Sequence, residues 1–80
     1  MISIEVYQDQ IHVRLSHLAP SNFEKKLKEF HVALPVARWD AGIRKWILSE
    51  KEIKRLTDFA YSQFDKSLIA IQIESEPFAR

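Results

Sequence analysis

The 80-residue chain has no cysteine, one glycine and three prolines, and its charges nearly cancel at +1. Each scarcity closes a class of protein. Without cysteine, no disulfide can staple the fold and no thiolate can hold zinc or act as a nucleophile. With a single glycine, no glycine-rich loop can wrap a phosphate. So little glycine and proline does not suit a disordered or low-complexity chain. No stretch approaches the roughly 18–20 consecutive apolar residues of a membrane span, so no membrane role is expected. Met1-Ile2-Ser3-Ile4-Glu5-Val6 lacks the basic segment followed by an apolar run that marks a secretory leader. The expected setting is therefore the reducing cytoplasm. A net charge this small does not describe a general polyanion binder.

What is present is the composition of an ordinary globular domain, 46% hydrophobic and 29% charged. The length suits one domain, not two, and leaves little volume for a hollowed substrate pocket. One compact domain is expected over residues 1–75, with 76–80 as a loose tail.

Hydrophobic periodicity supplies the element order. Ile2, Ile4 and Val6 alternate with polar residues, as do Ile11, Val13 and Leu15. Separated by Gln8-Asp9-Gln10, they predict an antiparallel hairpin. Ser21 with Glu24 three positions on has the form of a capping box. A helix is expected from Asn22, with Phe23, Leu27 and Phe30 on its apolar stripe and Pro35 ending it. A second hairpin spans residues 36–49, with Asp40-Ala41-Gly42 as its turn and the lone glycine supplying a positive φ. An even-length loop would put Trp39 and Trp46 on one face, Arg38 and Lys45 on the other. Ser49 and Glu52 form a second capping box. The helix after it, from 50 to about 64, buries Ile53, Leu56, Ala60 and Phe64. Ile69, Ile71 and Ile73 form a last strand. Leu68 and Ala70 make both its faces apolar at the start, which predicts an interior place in the sheet.

The predicted architecture is α+β in ββαββαβ order, one antiparallel or mixed sheet with both helices packed on one face. The two ββα units resemble each other, a weak internal repeat.

Catalytic constellations are not expected. His12, His17 and His31 are scattered, without the paired spacing of a metal site. The carboxylates are spread along the chain and most neighbour a Lys or Arg; Glu24 and Glu52 are assigned to caps. The chain is accordingly expected to be no enzyme, and to need no metal or cofactor. The informative segment runs from residue 37 to 48 and carries both tryptophans, seven apart, among Arg38, Arg44 and Lys45. Exposed aromatics beside basic groups can stack on bases and grip phosphates. The same residue types make protein–protein hot spots, and indoles also fill cores. Within residues 38–55 six basic residues face three acidic ones, a local excess extended along the second helix by Lys51, Lys54 and Arg55. Lys25, Lys26 and Lys28 on the first helix could join them in one basic stripe.

Pro35-Val36-Ala37-Arg38-Trp39-Asp40, followed after a short gap by Lys45-Trp46-Ile47-Leu48 and a capped helix from Glu50, resembles the HARP domain of annealing helicases. It is also similar to small N-terminal modules of DNA helicases and of phage-type tyrosine recombinases of mobile elements. The likeness covers about residues 23–64, with Ala41 where many relatives carry proline. It implies a DNA-associated module engaging single-stranded or branched DNA, with Arg38, Trp39, Asp40, Lys45 and Trp46 at the matching positions. It further implies that the tryptophans hold the hairpin together, which leaves Arg38, Arg44 and Lys45 as contacts.

The favoured expectation is thus a non-catalytic nucleic-acid-binding module. Its candidate contacts are Arg38, Trp39, Arg44, Lys45, Lys51, Lys54 and Arg55. The alternative is a protein-interaction module or small homodimer with no nucleic-acid role, using the apolar last strand, the Phe78 tail, an exposed Trp39 or an unpaired sheet edge.

Overall fold

The computed structural model describes residues 1–16, 18 and 20–74. Strands β1 (Ile2–Val6) and β2 (Gln10–Leu15) form the first hairpin, followed by helix α1 (Pro20–Ala33). Strands β3 (Arg38–Asp40) and β4 (Lys45–Ser49) form the second, followed by a 3-10 turn (Glu50–Glu52), helix α2 (Ile53–Gln63), a second 3-10 turn (Lys66–Leu68) and strand β5 (Ile69–Ile73). The sheet order is β3-β4-β2-β1-β5. All pairings are antiparallel except β1 with β5, so the sheet is mixed. This is the α+β, ββαββαβ arrangement expected from the periodicity.

Register explains the core. Ile4 pairs with Val13, Val6 with Ile11, Ile11 with Leu48 and Val13 with Trp46. Directly opposed residues point to the same face, so all of these lie on one side of the sheet. Both helices cover that side. Phe30 and Leu34 of the α1 end, and Leu56, Phe59, Ala60 and Phe64 of the α2 segment, bury themselves against Ile2, Ile4, Ile11, Val13 and Leu48. Tilted and edge-on ring contacts link the second hairpin to both helices. Trp39 meets Trp46 at 5.2 Å, Trp46 meets Phe30 at 5.6 Å, and Phe30 meets Phe59 at 5.6 Å. Tilted and edge-on ring pairs of this kind add about 0.5–1.5 kcal/mol each beyond their buried area. Lys26 ties the helices at their far side, donating to the Gln63 carbonyl at 2.6 Å and lying over the Phe64 ring. One lysine of the supposed basic stripe therefore serves the helix–helix contact.

Three local expectations are corrected. First, β5 is an edge strand, paired among the described residues only with β1. Its apolar start misleads because Leu68 belongs to the preceding 3-10 turn, while Ala70 is a small residue on the open face. Second, the positive φ in the β3–β4 turn is at Arg44 (φ 57°), not at Gly42. Asp40 Oδ1 accepts from the Gly42 and Ile43 amides at 2.8 and 3.2 Å, which winds the turn right-handed. The Arg44 N–H then closes on the Asp40 carbonyl at 2.7 Å, and the left-handed residue returns the chain to β4. Third, α1 begins at Pro20, so Ser21 lies inside the first turn and is no cap. Proline suits that first turn because its missing N–H would have no partner there; the capping position, 19, is outside the described residues. Phe23 on the expected stripe is 37% exposed, while Leu34, beyond the α1 end, is fully buried.

Ser49 does cap as expected: its side chain accepts from the Lys51 amide at 3.4 Å. Pro35 likewise follows the end of α1, with the Leu34 amide still bonded to the Phe30 carbonyl. Asp65 caps the second 3-10 turn, and the Ser67 hydroxyl and amide hold its carboxyl below the usual carboxylate range. Residues 76–80, including Phe78, and His17 lie outside the described residues.

Candidate functional site

The face opposite the helices is open. By register it carries Ser3 and Glu5 of β1, His12 and Arg14 of β2, Lys45 and Ile47 of β4, and Arg38 of β3. His12 is 1% exposed there, covered by the Tyr7 ring at 4.7 Å. The Tyr7 hydroxyl reaches Glu5, and partial burial, then the nearby carboxylate, raises its pKa. Glu5 also accepts a hydrogen bond from Lys45. A shallow depression of about 550 Å³ surrounds that ion pair, lined in part by Ser3, Arg14 and Gln72.

The structure divides the predicted contacts. The loop of residues 41–44 is even in length, so Trp39 faces Trp46 on the helix side while Arg38 and Lys45 share the open face. Lys51, Lys54 and Arg55 point outward from the helical layer, away from the sheet. Lys51 follows one end of β4 and Arg44 precedes the other, separated by a strand about 17 Å long. No single flat surface holds all seven residues. Ion pairing divides them further. Among the described residues the ion pairs are Lys45–Glu5 and Arg55–Glu52. Both draw on candidates and partly neutralise them.

What the fold does bring together is the turn end of the second hairpin. Arg14, Phe23, Trp39, Arg44 and Trp46 line a cleft of about 210 Å³ there. Trp39 meets Trp46 at a tilt yet remains 52% exposed. Arg14 and Arg44 are exposed and form no ion pair among the described residues. Arg38, also exposed and without such a pair, stands one residue before Trp39 on the other face.

Arg14 is the residue sequence reasoning missed. It looked like an ordinary outward residue of the first hairpin. Only the antiparallel pairing of β2 with β4, remote in sequence, brings it to the end of the sheet where it lines the same cleft as Arg44.

Among the described residues there is no cluster of three or more metal-ligating side chains, and no helix long and apolar enough to cross a membrane. Fold and site together describe a small α+β domain with a basic, aromatic cleft at one end of its sheet. No family model, curated protein or solved structure matches the chain.

Proposed function

We propose that this chain is a DNA-associated nucleic-acid-binding module, and that the turn-end cleft is its contact surface. The observation that carries the reading is the half-exposed Trp39 in a cleft that Arg14 and Arg44 also line, neither arginine forming an ion pair among the described residues. An indole face accepts an unstacked base, worth about 1–3 kcal/mol per base. Guanidinium groups beside it can hold the adjoining phosphates through paired N–H donors. Such a site suits single-stranded or branched DNA better than an intact duplex, whose bases are already stacked. The likeness of the hairpin to HARP-type modules supports a DNA-associated role. Arg38 extends the contact across the edge. Lys45 contributes less because Glu5 holds it, and the α2 lysines form a separate weak field.

Three phosphate contacts on single-stranded DNA give a salt slope of about −2, so affinity falls roughly tenfold or more between 50 and 200 mM salt. The test is fluorescence anisotropy of a labelled single-stranded oligonucleotide. Arg14→Glu and Arg44→Glu should each weaken binding about tenfold or more, and Lys54→Glu on the outer face of α2 much less. No binding at about 100 µM chain in low salt removes the proposal. Equal losses from all three variants would replace the cleft by diffuse attraction.

A further inference from the structure

The two edges of the sheet are built differently. β3 is three residues long, carries Arg38 and Asp40, and follows Pro35 closely. Short length, charge and a nearby proline are the usual defences against unwanted strand pairing. β5 is longer and carries no charge within its span: Ile69-Ala70-Ile71-Gln72-Ile73 is five residues, with Glu74 directly after it and Pro77 four positions on. Its isoleucines share a face with Ile2, Ile4 and Val6, yet lie at the rim of the helical cover. Ile71 is 43% exposed and Ile73 79%.

The hydrogen-bond phase of β5 can be read from one contact. The Glu74 amide donates to the Val6 carbonyl at 2.7 Å. Amides alternate in direction along a strand, so residues 70, 72 and 74 turn their backbone groups toward β1. Ile69, Ile71 and Ile73 turn theirs outward. Among the described residues, the three that turn unpaired N–H and C=O groups outward include Ile71 and Ile73, whose apolar side chains are exposed, and Ile69, which is half-buried against the core.

We propose that β5 is a self-association edge, occupied by β5 of a second copy of this chain in antiparallel, two-fold arrangement. The strand is self-complementary about Ile71. Centring the axis there sets Ile69 opposite Ile73 of the second copy, Ile71 opposite Ile71 and Ala70 opposite Gln72. All outward backbone groups are then paired, giving about six hydrogen bonds. The isoleucines merge into one apolar stripe on the helix side, and no charge opposes a like charge within the strand. The result is a ten-stranded sheet with the β3–β4 cleft of each copy at its far ends, about 40 Å apart at ordinary strand spacing. The association does not depend on the nucleic-acid reading. Its contact area falls at the small end of specific interfaces, which bury about 1,200–2,000 Å², so the dimer should be weak, with a Kd on the order of tens of micromolar.

Sedimentation of the full chain from about 10 to about 500 µM tests this, since a weak dimer forms across that range. The wild type should pass from monomer to dimer. Ile73→Lys, at an exposed position, and Ile71→Pro, which removes an outward N–H that an edge strand does not use internally, should both remain monomeric with unchanged circular dichroism. Register is tested separately, because the chain has no other cysteine. Ile71→Cys on the axis places two Cα atoms about 5.5 Å apart, within disulfide range, and should cross-link readily on mild oxidation. Ala70→Cys, opposite Gln72, should cross-link far more slowly. A wild type monomeric throughout, or a dimer that survives both substitutions, overturns the proposal. Equal cross-linking at 70 and 71 overturns the register.

Discussion

Moving the chain's only glycine by two positions should stabilise the protein. Arg44 occupies the left-handed region at φ 57°, and Gly42, in the same turn, does not have positive φ. A non-glycine residue there costs roughly 1–2 kcal/mol. Glycine removes that cost but adds about 0.4–1 kcal/mol of unfolded-chain entropy to be lost on folding. Arg44→Gly should therefore gain about 0.5–1 kcal/mol net. At position 42 the arithmetic is simpler. The amide that donates to Asp40 Oδ1 is kept in Gly42→Ala, and restricting the unfolded chain gains about 0.4–1 kcal/mol. The sites are two apart, so the double variant tests additivity within one turn. For a domain of this size about 1 kcal/mol moves Tm by roughly 4–8 °C. Urea unfolding should show a higher midpoint with unchanged slope. Destabilisation by Gly42→Ala would refute the turn geometry; destabilisation by Arg44→Gly would mean that the arginine side chain contributes more than its backbone costs. The two variants also separate stability from binding. Arg44→Gly should weaken attachment to single-stranded DNA while raising Tm, and Gly42→Ala should raise Tm alone.

Two further outcomes follow from local contacts. Ser49→Ala removes the cap of the turn leading into α2; because the bond to the Lys51 amide is 3.4 Å long, the expected loss is about 0.5 kcal/mol, at the low end for caps, read by urea unfolding. Tyr7 has a raised native pKa, caused first by burial and then by Glu5. A raised value means the folded state keeps the proton longer, so this contribution is complete below the ordinary tyrosine range. It is lost as pH rises through the higher native value. Alkaline unfolding of the Tyr7→Phe variant should lack that component, and an unchanged alkaline profile would contradict the assignment.

The sequence alone was enough for element order, because alternation at Ile2–Val6 and Ile11–Leu15 and helical spacing through Leu56 and Ala60 are local signals. It also carried the Ser49 cap and the Pro35 stop, which need only neighbours in the chain, while the facing of Trp39 and Trp46 hung on a loop length that only the structure gave. Tertiary structure decided what depends on which strands meet. β5 reads as interior from its own residues, but an edge is defined by what lies beside it. The position of the left-handed residue was set by how the Asp40 carboxylate winds the turn and by the direction in which β4 must leave. Arg14 came to line one cleft with Arg44 through the pairing of two strands more than thirty positions apart, and Lys45 met Glu5 across forty positions of chain. Charge along the sequence is one-dimensional, and the sheet assigned neighbouring basic residues to opposite faces and ends. Only that partition separated a turn-end cleft from an even basic stripe.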